Sequence, residues 1–375
     1  MRGTKRFKAG AWRLQVWDAT SRKSITATVK APNNKTGAKE ADAALRKLVD
    51  KVERGDHVTD MRMAELFTMW LRVKTPTWEP KTVDTTTSGV RHLNKQLGHA
   101  KVARLRAVHI EDCYAELSTT LSPASVRRIH GILHAALEQA KRWGLIETNP
   151  AHLVTPPRVE RRHNTTPTPD QLIQLLNEVQ ARPDLAAFVQ LASTTGARRG
   201  SVSALRWSNI DLERGTILFL NKLSVTSTGV VEQVGNKTGR QYGVAIGLDV
   251  NASLRRWRNE QREQVMRLGV PMPEDPWVFT SPLDPHNPRS PGHWSREWRR
   301  LTRRVDPTGG LDHIRLHDLK HYAATQLLAG GVPLLQVADR LGMSPALLLS
   351  LYGHAIPAAD RELADVFDRI HRSGG

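Results

Sequence analysis

Apolar and polar residues roughly alternate between Gly10 and Val29, through Trp12, Leu14 and Val16 and then Ile25, Ala27 and Val29, with polar residues 18–24 between the two runs. A period of two puts every second side chain on one face, so this stretch reads as a hairpin or small sheet. After the turn-like residues 32–37 the period lengthens. Ala41, Ala44, Leu45, Leu48 and Val52 recur at helical spacing, and Gly55 follows, which predicts a helix over 38–54. A second helical group opens with Thr59 as N-cap and Met63, Leu66, Phe67, Trp70 and Leu71 on one face. Helices follow over 81–97 and 109–117. The clearest comes next: Ser122 caps it, Pro123 fits its first position, Val126, Ile129, Leu133 and Leu137 form its stripe, and Gly144 ends it.

Residues 154–168 carry Pro156, Pro157 and Pro167, a cluster of charges and almost no apolar periodicity, the pattern of an interdomain linker. Thr168, Pro169 and Gln171 then make a capping box that opens a helix through Leu172, Leu175, Leu176 and Val179. Strands are expected over 217–220 and 244–248, with Gly229 and Gly235-Asn236 marking turns between them. A helix begins at His321-Tyr322, and a last one spans 357–370 with Leu363, Val366, Phe367 and Ile370 on one stripe. The fold class expected from this order is predominantly α with small β-sheets (α+β), in several domains, since 375 residues exceed a single core.

Charge narrows the function. Against 37 Asp and Glu stand 55 Lys and Arg, a net charge of +18, which favours a polyanion held through phosphate contacts and counterion release. A membrane surface is the competing polyanion, but no run of 18 apolar residues is present. Residues 1–10 are basic and lack the apolar stretch of a secretory signal, so a cytoplasmic, nucleoid-associated protein is expected. The lone Cys113 can form neither an internal disulfide nor a thiolate cluster and reads as a small buried apolar residue. No tight His/Cys or Asp/Glu ligand set is legible, so no metal or other cofactor is expected.

Three cationic patches precede a tyrosine near the end of the chain: residues 195–200 with Arg198 and Arg199, residues 235–240 with Lys237 and Arg240, and residues 316–321 with His317, Lys320 and His321. Tyr352 lies in Leu351-Tyr352-Gly353-His354, nine residues after Met343 in Leu341-Gly342-Met343-Ser344. Together these motifs resemble the tyrosine recombinases, the phage-integrase family that cuts and rejoins DNA through a phosphotyrosine. The resemblance implies that Tyr352 is the nucleophile and that Arg198, His317 and Lys320 hold the phosphate. It implies that Lys237 protonates the leaving 5′-oxygen, with Lys222 and Arg240 as competing cations.

Three positions depart from the family pattern. Ser201 stands where an acidic residue usually supports the first arginine. Lys320 stands for an arginine and so lacks its two-pronged grip. Met343 stands for a histidine, and a thioether donates no hydrogen bond.

The implied organisation is an arm-type DNA-binding domain over 1–57, a helical core-binding domain over 58–153, the linker 154–168 and a catalytic domain over 169–375. The implied function is a site-specific recombinase acting on double-stranded DNA at core and arm sites, as a homotetramer, with DNA-bending accessory proteins as further partners. The alternative is a recombinase scaffold impaired in catalysis that acts as a regulator or architectural protein. Topoisomerase-like nicking is a third reading.

Overall fold

The computed structural model describes residues 3–18, 23–53, 61–159, 166–235 and 242–355. The chain divides into two compact units, Met1–Arg161 and Arg162–Gly375. The boundary falls inside the proline-bearing stretch 154–168.

The first unit opens with three antiparallel strands, β1 (Gly3–Lys8), β2 (Ala11–Asp18) and β3 (Lys23–Val29), in the order β1-β2-β3. Alternation along β2 buries Leu14 and Val16 toward α1 (Lys35–Glu53) and leaves Arg13, Gln15 and Trp17 exposed on the other face. Strand β1 was not anticipated: its alternating positions are basic rather than apolar, and its pairing comes from register with β2.

Four helices build a separate apolar cluster: α2 (Met63–Lys74), α3 (Pro80–Leu97), α4 (Ala107–Ser118) and α5 (Pro123–Arg142). Thr59, the expected cap of α2, lies outside the described residues. Arg62 flanks that helix, and its N–H donates to the Glu65 carboxylate at 3.0 Å. Ser122 caps α5 by accepting the Ser125 N–H, as its sequence signature requires. A short turn of 3-10 helix, Pro150–Leu153, packs back on α5. Cys113 is buried in this cluster, and burial pushes its thiol up to about 11, so it behaves as an apolar residue.

The second unit begins with α6 (Pro169–Glu178), whose capping box forms in both directions: Gln171 N–H donates to the Thr168 hydroxyl and Thr168 N–H to the Gln171 side chain. Next come α7 (Pro183–Thr195) and the short α8 (Arg199–Ser203). Strands β4 (Ile210–Asp211), β5 (Thr216–Phe219), β6 (Asn221–Thr226), β7 (Gly229–Val234) and β8 (Tyr242–Ala245) follow, as a β4-β5-β8 sheet and a β6-β7 ribbon. The ribbon is largely exposed, which explains why apolar alternation did not mark it.

Helix α9 (Leu248–Leu268), the small β9 (Thr280–Ser281) and β10 (Asp284–Pro288) pair, and α10 (Pro291–Val305) complete the larger core. There Phe188 stacks on Trp294 at 4.2 Å between ring centroids, and Phe279 meets both edge-on. Trp298 donates its indole N–H to Ile314 O at 2.9 Å, tying down the loop that leads to α11 (Asp318–Ala329). Helices α12 (Leu334–Leu341) and α13 (Pro345–Tyr352) pack with α11 around a smaller apolar cluster. The expected helix over 357–370 lies outside the described residues.

Candidate active site

Arg198 is presented by a sharp chain reversal. Gly196 ends α7 in the left-handed conformation, φ +60°, and a Cβ there would lie 2.2 Å from Leu341 Cδ2. The Thr195 hydroxyl donates to Leu191 O at 2.6 Å and accepts the Ala197 N–H, so the turn is held from both sides. Arg198 then flanks the first turn of α8 in extended conformation. It lines a cleft of about 450 Å³ with Arg199, Arg299, Arg315, His317 and Asp312. Arg315 is held by the Asp318 carboxylate and Asp312 by Arg303, which leaves Arg198, Arg199 and Arg299 to make that cleft a trap for anionic oxygen. Ser201, one turn into α8, is buried and brings no negative charge.

Asp318 organises the second patch. Buried at the start of α11, its carboxylate accepts the Arg315 backbone N–H at 2.7 Å and the Arg315 guanidinium at 2.8 Å. His317, Lys320 and His321 then follow at helical spacing, so they lie close to one another on one side of the helix start. His317 and His321 meet edge to face, 5.3 Å between centroids. Burial lowers His317 to about 4, helped by His321, so its imidazole is neutral at pH 7. Lys320 is buried and directs its Nζ to Gly196 O at 2.8 Å and Leu341 O at 2.7 Å. Its amine therefore clasps the ends of α7 and α12 together.

Tyr352 closes α13, whose start is capped by the Ser344 hydroxyl accepting the Leu347 N–H. Its ring is only 3% exposed, and its hydroxyl lies 2.6 Å from His321 Nδ1. Burial, reinforced by the Asp318 carboxylate and opposed by Arg198, pushes the phenol up to about 12. It therefore needs a base to act at neutral pH. Burial lowers His321 from its ordinary value, so that ring is unprotonated at pH 7 and suited to accept a proton. Met343 is buried in the same apolar cluster as Leu341, Leu348 and Tyr352 and packs rather than polarises.

Against this geometry, residues 166–357 match the model of the phage integrase family. The chain belongs to the phage integrase family. Among curated relatives of this integrase, the tyrosine recombinase XerC-like protein of Caldanaerobacter subterraneus subsp. tengcongensis is 24% identical over 343 residues, covering 85% of this chain and 86% of that protein. The ICEBs1 integrase of Bacillus subtilis is 25% identical over 287 residues, covering 75% of each chain.

Solved structures that share the fold include two integrases bound to DNA. The Tn1549 transposon integrase in complex with circular intermediate DNA has a TM-score of 0.67 at 16% identity, covering 82% of this integrase and 99% of that chain. A lambda integrase dimer bound to a COC′ core site has a TM-score of 0.59 at 17% identity, covering 92% and 93%.

Of the five site residues singled out in the integrase sequence, four share one neighbourhood. Arg198 acts electrostatically on His317, Lys320 and Tyr352, and Lys320 binds the carbonyl two residues before Arg198. Lys237 and its competitor Arg240 lie outside the described residues, and Lys222 is on β6. His321 was missed as a site residue. Its signal was its position four after His317, but its partner stands 31 residues away in sequence.

Proposed function

We propose that this chain is a site-specific DNA recombinase that breaks and rejoins DNA through a 3′-phosphotyrosine. The observation that carries the reading is the Tyr352–His321 hydrogen bond in the catalytic unit of a family member, within the field of Arg198. As the Tyr352 oxygen bonds to phosphorus, its proton passes to His321 Nδ1. The bond from phosphorus to the 5′-oxygen breaks, and that oxygen takes a proton from Lys237.

Arg198 grips two non-bridging oxygens with its planar fork, and neutral His317 donates a hydrogen bond from the cleft wall. The phosphotyrosine conserves the bond energy, so the return attack by a 5′-hydroxyl needs no nucleotide cofactor. Because the phenol is buried, DNA binding has to uncover α13 before attack.

Lys320 enters this scheme as a positioning residue, since its amine is spent on two carbonyls. The phosphate grip then falls on Arg198 and His317, and Met343 adds no donor. That thinner set of contacts favours, as a second reading, a scaffold that binds DNA and cuts it slowly or not at all, acting as a regulator. In either reading the partner is double-stranded DNA. The 169–375 catalytic domain and the 58–153 helical domain engage core sites. The 1–57 sheet, with Arg6, Lys8 and Arg13 on its exposed face, engages arm sites. A homotetramer forms on paired duplexes with DNA-bending proteins assisting, in the nucleoid. Among the described residues no helix is long and apolar enough to cross a membrane.

A suicide substrate bearing the half-site, taken from DNA flanking the gene, tests this reading. A covalent adduct is expected with the wild type and none with Tyr352→Phe, which should bind DNA as well as the wild type. Tight, salt-dependent binding without any wild-type adduct would overturn catalysis in favour of the regulator.

A further inference from the structure

Outside the recombinase site, one group of His, Cys, Asp and Glu side chains among the described residues has its ligand atoms gathered within 4.8 Å of one another: His134, Glu138 and His152. His134 and Glu138 stand four apart on α5, on one face of a rigid, capped helix. His152 comes from the 3-10 turn Pro150–Leu153. Sequence spacing hid the set because its third member arrives only when that turn folds back on α5.

The geometry suits an ion. His134 Nε2 and His152 Nδ1 are 3.4 Å apart, close to the edge of about 3.3 Å spanned by two nitrogens of a tetrahedron with the usual zinc–nitrogen length. At that separation two imidazoles gain little from each other directly. Their rings stand edge to face, 4.6 Å between centroids.

The surroundings are built to hold the three groups there. Buried Asn149 donates its side-chain amide to His134 O at 3.2 Å and to Glu138 Oε1 at 2.8 Å, while its oxygen accepts the Ala151 N–H at 2.9 Å. One side chain thus sets the carboxylate, the helix and the turn that carries His152. Such outer hydrogen bonds are what orient ligands around bound metals. Glu138 Oε1 also lies 2.8 Å from His152 Nε2, and a turn of the carboxylate exchanges that bond for one to the ion. His152 is exposed, which leaves an entry path and room for a water as fourth ligand.

We propose that His134, Glu138 and His152 form a binding site for a divalent transition ion of the Zn²⁺ class. Two imidazoles and one carboxylate suit Zn²⁺ and exclude Mg²⁺ and Ca²⁺, which prefer all-oxygen shells. The three residues belong to the first compact unit, whereas Arg198, His317 and Tyr352 belong to the second. The effect of the site is structural: the ion staples residues 149–153 to α5 just before the chain runs into residues 154–168, and so fixes where the polypeptide leaves the helical unit.

The test uses the full-length, untagged, metal-stripped chain titrated with Co²⁺ and then Zn²⁺. One equivalent of Co²⁺ should give the intense visible bands of four-coordinate cobalt, and Zn²⁺ should bleach them. The bands should vanish in His134→Ala and in His152→Ala and persist in Tyr352→Phe, which separates this site from the recombinase centre. Zn²⁺ should also raise the melting temperature of the wild type, reversibly with chelator, and leave His152→Ala unmoved. Because His152 is exposed, far-UV circular dichroism of that variant should match the wild type, so it decides the matter even if His134→Ala unfolds. Absence of the bands in the wild type at micromolar protein with excess Co²⁺, or bands of undiminished strength in His152→Ala, would overturn the site.

Discussion

Replacing Lys320 by methionine separates a positioning role from a phosphate contact. The amine donates to Gly196 O and Leu341 O, both at helix ends where carbonyls lack partners within the helix. Methionine preserves most of the apolar stem, so the main loss is the pair of hydrogen bonds. An unpaired buried acceptor costs about 1–3 kcal/mol, hence about 2–6 kcal/mol for two.

The pH dependence gives a sharper signature. Burial, aided by Arg198, lowers Lys320 from 10.5 to about 7, yet a neutral amine keeps two N–H donors and both bonds survive deprotonation. Between pH 7 and 10.5 the unfolded chain holds a proton that the folded chain has released, so stability from this residue rises with pH across that window. Each pH unit inside it is worth about 1.4 kcal/mol. The wild-type advantage over Lys320→Met should therefore grow by about 2–3 kcal/mol from pH 7 to pH 9, a window above the titration of His317 and His321, the two histidines that sense Lys320.

Urea unfolding of both proteins at several pH values, followed by the fluorescence of buried Trp257, Trp294 and Trp298, measures it. A difference that stays flat or shrinks as pH rises would refute the lowering of Lys320 by burial, since the clasp itself holds in either protonation state. A Lys320→Met protein as stable as the wild type at pH 9 that no longer cleaves would refute the clasp, because the amine would then be serving the phosphate.

Two further outcomes follow from the same contacts. His321→Ala removes the acceptor of the Tyr352 proton, so single-turnover cleavage of the half-site should fall about 10²–10⁴-fold with DNA affinity nearly unchanged; unchanged cleavage would take His321 out of the proton path. Gly196→Ala forces a side chain into φ +60° and onto Leu341, so it should cost at least about 1–2 kcal/mol and lower the melting temperature by several degrees; an unaltered melting curve would mean that the turn is not held there.

Local signals carried much of the architecture. The caps at Ser122 and Thr168 were legible because a cap joins residues three apart, and the same nearness made the stripes of α2, α5 and α6 readable. Strand β1 and the β6–β7 ribbon were not, since their positions alternate in pairing rather than in apolarity. Within the site, Arg198, His317, Lys320 and Tyr352 could be singled out by motif.

Their use could not. That Lys320 faces two carbonyls, that His321 meets the phenol and that His152 joins His134 depend on contacts between residues 18 to 124 apart in sequence. Sequence alone determined the capped and amphipathic helices, the charge and the family motifs, because each depends on neighbours along the chain or on composition. Tertiary structure alone decided which donor meets which acceptor, because a buried polar group is satisfied by whatever packing brings within 3 Å.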